Sequence, residues 1–378
     1  MKILNFVHRG HFGGAQWRVV WIGECLSNYG VDTKIIVPKI SDNIFENFLI
    51  GRKFPHQIFF IPAIKSAKYF FHNVFYLIYL PISTFQMLKL LQRDAVDMLH
   101  INGMTNLAPL FAGLMARKPI LWHFNDTITP VWFELLIRCL AKKCFLVAAS
   151  QAVSDVYCLD NYGYKYLGVL PPPLPPETEI YKISKGSNNL GLDNHEIVLG
   201  FVGNIIRTKG VLDFIDVIYK LKQLNYKVKG ILVGSNLSGH ELFAEEVKRK
   251  IVKLGVSEDI LCLGYQLDVQ RFMRQFDIFI FPSYTEAAPM VVLQALSLGV
   301  PVVSTPVGNV PELAEKVMIH QVKIGKIDEY VEKVTNILAE NTPDVYVEQS
   351  KYIKENYSIA NVASQTLKLY KRILFNEF

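Results

Sequence analysis

The stretch from Asp277 to Glu312 most constrains how this chain can fold, because it reads as strand, loop, helix, strand and loop in direct succession. Ile278 to Phe281 is a short apolar run, and Pro289 stands where a helix would begin. Met290 to Leu298 is predicted to be that helix, and Val302 to Ser304 the next buried strand. This alternation predicts an open α/β sheet.

Two loops in this stretch, Ser283 to Ala288 and Thr305 to Asn309, follow the two predicted strands. Ligands of open parallel sheets bind beyond the carboxyl ends of the strands, so the two loops predict a pocket. The first loop holds one charged residue, Glu286, whose carboxylate could accept hydrogen bonds from a polar ligand. An acid at a helix N-terminus, favoured by the helix dipole, is the structural alternative.

The stretch resembles the nucleotide-sugar site of retaining glycosyltransferases of family 4, whose signature is Glu, seven residues, Glu. Glu286 matches the first position, and Gln294 stands at the second. The resemblance implies the GT-B fold, α/β with two Rossmann-like parallel-sheet domains facing a central cleft. It also implies that Glu286 holds hydroxyls of the donor sugar and that position 294 accepts hydrogen bonds from the ribose. Gln294 keeps an acceptor oxygen without the charge, which predicts a weaker ribose contact. The implied donor-binding set continues through Ala287, Ala288, Pro289 and Met290.

A further loop, Gly203 to Gly210, leads from an apolar strand into a helix and is therefore predicted to bind an anion. The resembling family has Gly-Arg and then Lys-Gly here, and its Arg and Lys hold the two phosphates of the departing nucleotide. Gly203 and Lys209 match, whereas Asn204 replaces the Arg. Arg207 lies nearby and is the candidate for the missing cation. A solvated lysine is the structural alternative for Lys209, and the helix dipole disfavours it.

The chain begins like a nucleotide-binding fold, with Lys2 to His8 as a strand and Arg9 to Gly14 as a tight loop. The loop is not GxGxxG, and the second strand, Thr33 to Val37, is not followed by an acid for a ribose, so a dehydrogenase is disfavoured. The resemblance implies that Gly13 and Gly14 face the donor phosphate. A structural turn is the alternative.

Two histidines fall at the ends of predicted strands, His100 in Asp97 to Ile101 and His123 in Ile120 to His123. The resemblance implies that His123 lies near the reacting sugar, where it binds the 6-hydroxyl or backs the reaction centre, and that His100 is peripheral. A lone histidine is more often structural than chemical. The loop at Tyr265 is implied to lie along the nucleotide base, although a packed tyrosine is the more ordinary role.

The domain prediction has four parts. Residues 1–172 form an acceptor-side Rossmann-like domain, and 173–194 form a linker that begins in the proline-rich run VLPPPLPP. Residues 195–356 form the nucleotide-sugar-binding domain. The resemblance implies that 357–378 form a helix that crosses back to the first domain.

Composition excludes several classes of protein. With 378 residues, 51% of them apolar, the chain can bury two full cores. The five cysteines form no CxxC pair and fit a reducing cytoplasm. The residues MKILNFVH lack the pattern of a signal peptide, so secretion is not expected. There is no Asp-x-Asp and no His/Cys cluster with ligand spacing, so we expect a metal-independent protein without a cofactor.

Residues 1–175 hold 17 Lys and Arg against 10 Asp and Glu, and the remainder hold 23 against 24. A basic first half fits an anionic partner such as lipid headgroups, and an ordinary solvated surface fits it equally well. The apolar run Tyr69 to Leu80 is followed by Pro81, which predicts a segment shorter than the roughly 20 residues that span a membrane. It is predicted to be a core helix or to touch a membrane surface.

The resemblance thus implies a hexosyltransferase-type enzyme of bacterial surface polysaccharide synthesis. It would move a sugar from a UDP- or GDP-sugar to a hydroxyl of a saccharide acceptor, with retention. Glu286, His123 and Lys209 are its predicted catalytic residues. The acceptor is expected to be lipid-linked and handled at the inner face of the cell membrane, with peripheral contact to anionic lipid and without a nucleic-acid partner. A non-catalytic nucleotide-sugar-binding homologue or partner subunit is the main alternative, and a nucleotide-sugar epimerase is disfavoured by the first loop.

Overall fold

The computed structural model describes residues 1–7, 13–39, 43–60, 70–105, 107–127, 131–161, 163–176, 196–236, 239–340 and 343–375. The chain divides into two compact units, here called unit 1 (Met1–Pro173 with Ile359–Phe378) and unit 2 (Leu174–Ser358). Residues 9–12 of the predicted glycine loop and the predicted linker from residue 177 onward lie outside the described residues.

Unit 1 is built on a seven-stranded parallel sheet in the order β3-β2-β1-β4-β5-β6-β7. Every residue of β4 and β5 is buried, as expected for central strands covered on both faces. The strands are β1 Lys2–Val7, β2 Asp32–Pro38, β3 His56–Phe59, β4 Met98–Asn102, β5 Ile120–Phe124, β6 Phe145–Ala148 and β7 Lys165–Val169.

Unit 2 is built on a six-stranded parallel sheet in the order β10-β9-β8-β11-β12-β13. The strand order reverses between β8 and β11, which is the point where doubly wound sheets bind ligands. The predicted α/β architecture with two parallel sheets is therefore confirmed. The strands are β8 Ile197–Val202, β9 Val228–Val233, β10 Ile260–Gly264, β11 Ile278–Phe281, β12 Val302–Ser304 and β13 His320–Gln321.

Helices connect the strands and cover the sheets. In the helix Val211–Gln223, for example, Phe214, Ile218 and Leu221 are buried at helical spacing against the unit 2 core. The described helices are α1 Gly14–Ser27, α2 Ile44–Gly51, α3 Phe70–Arg93, α4 Ala108–Met115, α5 Val131–Ala141, α6 Gln151–Tyr157, α7 Val211–Gln223, α8 Glu241–Lys253, α9 Gln270–Met273, α10 Met290–Ser297, α11 Val310–Ala314, α12 Ile327–Ala339, α13 Pro343–Asn356 and α14 Ile359–Phe375.

The last helix, α14, packs into the core of unit 1 although the preceding helix belongs to unit 2. Val362, Tyr370 and Ile373 on α14 share one buried cluster with Ile3 of β1 and Ile22 of α1. Strand β1 at the start of the chain and helix α14 at its end thus pack into the same hydrophobic core.

The prediction that Pro81 ends the apolar run after Leu80 is wrong. Helix α3 continues through Pro81 to Arg93, so it is long enough and apolar enough, by length and composition, to cross a membrane. Pro81 lies on the exposed side, while Tyr76 before it and Met87 after it are both buried. Burial of the opposite face on both sides of the proline therefore holds the helix together.

Candidate active site

The loops after β8 and β11 lie side by side in unit 2. The two strands are paired, with Ile278 beside Leu199 and Phe279 beside Gly200, so the loops Gly203–Gly210 and Ser283–Ala288 leave the same edge of the sheet. This edge is at the carboxyl ends of the strands on either side of the topological switch point. The structure therefore brings the two predicted donor loops together.

Lys209 and Glu286 form a direct ion pair within this edge. The Lys209 ammonium donates a hydrogen bond to Oε1 of Glu286, and both side chains are largely shielded from solvent. Ser283 Oγ donates a second hydrogen bond to the same oxygen at 2.8 Å. Both contacts are made to Oε1, which leaves Oε2 as the carboxylate oxygen for a further donor.

Hydrogen bonds between the loops fix the ion pair. The backbone N–H of Tyr284 donates to the Thr208 carbonyl at 2.8 Å, and Ser283 Oγ also contacts that carbonyl at 3.0 Å. From the next loop of the sheet edge, Thr305 Oγ1 donates to the Ser283 carbonyl. Three loops are therefore tied together around Glu286, which preorganises its carboxylate.

Two glycines are required where these loops approach one another. Gly210 has φ +68°, and a Cβ there would lie 2.0 Å from the Pro282 carbonyl oxygen. Gly234 has φ +146°, and a Cβ there would lie 1.9 Å from the Gly203 carbonyl oxygen. A side chain at either position would push the loops apart.

A buried carboxylate supports the loop from the helix side. The Tyr284 hydroxyl is 3.1 Å from both carboxylate oxygens of Asp213, in the first turn of α7. Burial raises the pKa of Asp213, and the Tyr284 hydrogen bond opposes that shift. This contact anchors the Glu286 loop to the helix that begins just after Lys209.

The other predicted donor residues occupy different environments. Gln294 lies on α10, and its Oε1 is shielded from solvent without a hydrogen-bond partner among the described residues. Asn204 and Tyr265 are exposed. Arg207 pairs with Glu246 of α8, with Nη1 at 3.3 Å from Oε1, and its guanidinium stacks 4.9 Å from the Phe243 ring centroid.

The short segment after Glu286 leads directly into α10. Pro289 is the N-cap of this helix, and its fixed φ suits a helix start. A Cβ on Gly308 would lie 2.8 Å from the Pro289 ring and 2.9 Å from the Ala287 carbonyl oxygen, so the loop after β12 packs closely here. Ala287, Ala288 and Met290 are half-buried.

In unit 1, Gly13 is the N-cap of α1, and Gly14 is its first residue. The Gly13 carbonyl accepts the backbone N–H groups of Gln16 and Trp17, both at 3.1 Å. Gly13 has extended backbone geometry with φ −167°, a conformation that other residues also adopt.

His123 is fully buried in a polar network that sequence reasoning did not predict. Arg18 of α1 donates from Nη1 to His123 Nε2 at 2.9 Å and from Nη2 to Asn102 Oδ1. Asn102 Nδ2 in turn donates to Asn5 Oδ1 at 2.6 Å and to the Phe6 carbonyl at 3.0 Å. The network joins α1 to β1, β4 and β5.

Arg18 fixes the protonation of the histidines. Because a guanidinium only donates, His123 Nε2 accepts, and the proton of the neutral ring lies on Nδ1. That nitrogen is 3.4 Å from His100 Nε2, and His100 Nδ1 is 2.7 Å from the Tyr370 hydroxyl. Both ring nitrogens of His123 are thus engaged within unit 1.

Burial controls the ionisation of this network. Burial, with the Arg18 charge as the second cause, places the pKa of both His100 and His123 well below the usual value. Burial also lowers the pKa of Arg18 to about 10, so Arg18 stays charged at neutral pH. The network therefore consists of one cation and neutral partners.

A cavity of about 400 Å³ lies elsewhere in unit 1, at the amino ends of β1 and β2. It is lined by Lys34 and Arg52 among others, which pair with Asp94 at 2.7 Å and with Glu24 at 3.0 Å. The cavity lies at the sheet edge opposite the strand ends that carry the predicted site, so it does not belong to that site.

Sequence reasoning missed Ser283 and Arg18. Ser283 begins the loop that contains Glu286 and could have been noticed as a hydroxyl three residues before the acid. Arg18 stands between Trp17 and two valines, and a charged residue in such an apolar helical run indicates a buried partner. Its actual partners come from strands about 100 residues away and have no local signal.

Most of unit 2 is similar to a known protein family. Residues 196–340 match the family described as Glycosyl transferases group 1. The matched segment contains Lys209, Glu286 and Gln294. Within the described residues, no group of three or more His, Cys, Asp or Glu side chains could hold a metal ion.

Two curated relatives act in the synthesis of bacterial saccharides. The lipopolysaccharide core biosynthesis mannosyltransferase LpsB of Rhizobium meliloti is 32% identical over 124 residues, which are 33% of this chain and 35% of that protein, so the chain spans about a third of it. The UDP-Gal:alpha-D-GlcNAc-diphosphoundecaprenol alpha-1,3-galactosyltransferase of Escherichia coli is 23% identical over 299 residues, 72% of this chain and 76% of that enzyme. The predicted resemblance to glycosyltransferases of this class is confirmed.

The fold is shared with solved glycosyltransferase structures. HepE of Anabaena, solved in complex with UDP, superposes with a TM-score of 0.77 over 98% of this chain and 100% of that chain, at 19% sequence identity. The GT-B architecture that the resemblance implies is therefore confirmed as a fold.

Proposed function

We propose that this chain, whose residues 196–340 match the group 1 glycosyltransferase family, transfers a hexose from a nucleoside diphosphate sugar to a hydroxyl of a saccharide acceptor. The observation that carries the proposal is the ion pair of Lys209 and Glu286 at the switch point of the unit 2 sheet. A cation and a carboxylate held together there match the two halves of such a donor, an anionic diphosphate and a hydroxyl-rich sugar.

Donor binding would separate Lys209 from Glu286, and each residue would then bind a different part of the donor. The diphosphate draws the Lys209 ammonium at the start of α7, where the helix dipole also favours an anion. Glu286, still held by Ser283 at 2.8 Å, turns its carboxylate to hydroxyls of the sugar. The resting ion pair thus keeps two partly buried charges compensated until the donor replaces it.

Lys209 would act mainly in the transition state. Negative charge grows on the leaving diphosphate as its bond to the sugar breaks, so a fixed cation stabilises the transition state more than the ground state. Arg207 is the candidate for a second cation if it leaves Glu246. We propose that the leaving phosphate oxygen accepts the proton of the acceptor hydroxyl, which attacks from the same face. The anomeric configuration is then retained without an enzymic nucleophile or a metal.

His123 fits a positioning role better than a direct contact with the sugar. Its ring is fully buried, and both nitrogens are engaged by Arg18 and His100. Of the two roles implied by the resemblance, backing the reaction centre agrees with this geometry. We propose that His123 and Arg18 form a rigid frame that fixes the start of α1 against β4 and β5.

We propose a UDP- or GDP-sugar as donor and a lipid-linked saccharide as acceptor. The donor class is supported by the UDP bound to HepE of Anabaena. The acceptor class is supported by the diphosphoundecaprenol acceptor in the name of the Escherichia coli relative. A protein that acts on such an acceptor works at the cytoplasmic face of the membrane, with peripheral contact to anionic lipid. Lys65 and Lys68, two lysines of the basic first half, lie outside the described residues.

The test is release of UDP or GDP from a panel of nucleotide sugars, with and without lipid-linked acceptors. We expect Lys209→Ala and Glu286→Ala each to lower kcat/KM about 100-fold or more, because each removes a group aimed at developing charge or at the sugar. Lys220→Ala is the matched control, since Lys220 lies on α7 and pairs with Asp328 instead. Its activity should equal that of the wild type.

The same assay separates the alternatives. If one donor raises the Tm of the wild type but is never cleaved, even with acceptor present, the chain is a non-catalytic nucleotide-sugar-binding homologue. If the donor is cleaved and both variants keep full activity, the assignment of the site is wrong.

A further inference from the structure

Helix α3 has an outward face that is apolar for four turns. Phe71 is 87% exposed and Ile78 63% exposed, values typical of polar surface residues. Side chains at helical spacing from Phe70 to Phe85 extend this face over a length of about 24 Å at 1.5 Å per residue. The large apolar residues exposed on it are Phe70, Phe71, Val74, Phe75, Leu77, Ile78, Ile82 and Phe85.

The opposite face of α3 is fixed to unit 1. Tyr76 is buried, and its hydroxyl accepts the Leu107 backbone N–H at 3.1 Å. Met87, Leu90 and Leu91 are buried further along the same face. The helix cannot leave this packing to span a bilayer without exposing the core of unit 1, so only its outward face is available to a partner.

The outward face changes from apolar to polar at one point along the helix. After Phe85, its exposed residues are Gln86, Lys89, Gln92 and Arg93. The Lys89 ammonium lies 4.6 Å from the Phe85 ring centroid, at the boundary between the two parts. Helix α3 contains no Asp or Glu from Phe70 to Arg93, so the face has no acidic residue.

Aromatic rings widen the apolar part on one side. Phe60 is exposed and lies 5.3 Å from Tyr79, which in turn lies 4.3 Å from Phe75, between ring centroids. Aromatic side chains are enriched where a protein meets the headgroup region of a bilayer, because their rings tolerate both apolar and polar surroundings. An exposed apolar patch of this extent on a protein surface is typical of an interaction site.

We propose that the outward face of α3 from Phe70 to Phe85 is a membrane-docking surface. It enters the boundary between the headgroups and the acyl chains of an anionic bilayer, with Lys89 at the level of the lipid headgroups. The apolar length, the absence of acids and the cation at the boundary complement such a bilayer, whereas a protein partner would have no charge to pair with on the apolar part. The proposal extends the peripheral membrane contact proposed above by assigning it to one helix face, and it does not depend on the donor chemistry.

The test is co-sedimentation of the full chain with vesicles of phosphatidylcholine and phosphatidylglycerol, compared with vesicles of phosphatidylcholine alone. We expect the double variant Phe71→Glu/Ile78→Glu to lower the partition coefficient at least 10-fold on both kinds of vesicle, because it places charge in the apolar part. The matched control is Leu242→Glu/Val252→Glu on α8 of unit 2, where the two side chains are 87% and 71% exposed. This control should bind as the wild type does.

Lys89→Glu should weaken binding to the anionic vesicles about 5-fold or more and leave binding to phosphatidylcholine unchanged, since one lysine near an anionic surface contributes about that much. UDP or GDP release by each variant, measured without vesicles, shows whether the variant is folded and whether its donor site is intact, independently of membrane binding. Wild-type binding by the α3 double variant would overturn the proposal. So would a wild type that ignores vesicles but forms a dimer that this variant abolishes, because the occupant would then be a second copy of the chain.

Discussion

Gln294 is the residue at which this chain departs most clearly from the glycosyltransferases it resembles. Its Oε1 is shielded from solvent and has no hydrogen-bond partner in the part of the chain that the structure describes. An unpartnered buried acceptor is unfavourable, so a ligand group that donates a hydrogen bond would stabilise it. A ribose hydroxyl is such a group, which supports the proposed donor site.

We predict that Gln294→Glu lowers the KM for the donor about 5-fold without changing kcat, because a charged acceptor binds hydroxyls more strongly and the ribose does not change during the reaction. Initial rates of UDP or GDP release over a range of donor concentrations measure this. Gln223→Glu, at an exposed position that ends α7, is the control and should leave KM unchanged. An unchanged or higher KM for Gln294→Glu would show that the residue does not face the ribose.

The sequence indicated individual residues of the candidate site but not the contacts between them, because those contacts depend on how distant strands pair. Glu286 and Lys209 were recognised because each lies in a loop that follows a predicted strand and each matches a motif position of the resembling family. Their direct contact was not predicted, since it depends on the pairing of β8 with β11, two strands separated by much of unit 2. The environment of His123 was hidden in the same way, because Arg18 and Asn102 reach it from other elements.

At the scale of elements, the Gly203–Gly210 loop illustrates how backbone geometry positions a site. Gly210 ends the short 3₁₀ turn Arg207–Lys209 and begins α7 in the left-handed region, with φ +68°. The Pro282 carbonyl lies where a Cβ would be. The position of Lys209 relative to Glu286 therefore depends on the absence of a side chain at residue 210.

We predict that Gly210→Ala destabilises unit 2 by about 3 kcal/mol and lowers donor turnover, from the cost of a left-handed alanine plus a steric clash with the backbone. Urea unfolding followed by circular dichroism measures the first effect. Gly255→Ala is a matched control, because Gly255 has φ +66° but nothing within 4 Å of its Cβ position. It should lose only about 1 kcal/mol. Equal losses in the two variants would show that the loop contact with Pro282 is unimportant.

Element boundaries were predicted best where one residue type controls them. The helix starting after Pro289 and the strand Val302–Ser304 agree with the sequence pattern. Pro81 misled the prediction for α3, since packing on both sides of the proline outweighs its local preference. Short helices such as α4 were missed because eight mostly apolar residues have no clear period.

At the scale of the whole molecule, the order of elements predicted an open α/β sheet, and the family resemblance implied that there are two parallel-sheet domains. Repeated strand and helix alternation leads to a doubly wound sheet in each unit. The sequence cannot show in the same way which polar residues each core encloses. Unit 1 encloses two buried histidines, His100 and His123, in a network with Arg18. The histidines of unit 2 that the structure describes, His240 and His320, are exposed and half-buried respectively.

This difference predicts that acid destabilises unit 1. In the unfolded chain a histidine has its ordinary pKa of about 6.5, while burial and the Arg18 charge hold the folded pKa of His100 and His123 well below it. Below pH 6.5 the unfolded chain therefore binds more protons than the folded chain. The free energy of unfolding of unit 1 thus decreases as the pH is lowered. Two such groups remove about 2–3 kcal/mol between about pH 7.5 and pH 5.5.

The chain offers a selective probe for this effect, because all four tryptophans, at positions 17, 21, 122 and 132, belong to unit 1. Urea unfolding followed by tryptophan fluorescence at each pH therefore reports on unit 1. The double variant His100→Gln/His123→Gln has no histidine to protonate in the network, so we expect its stability to change little over the same pH range. If the variant keeps the wild-type pH dependence, the acid sensitivity of unit 1 originates in other groups, and the network of Arg18 is not what couples its stability to protons.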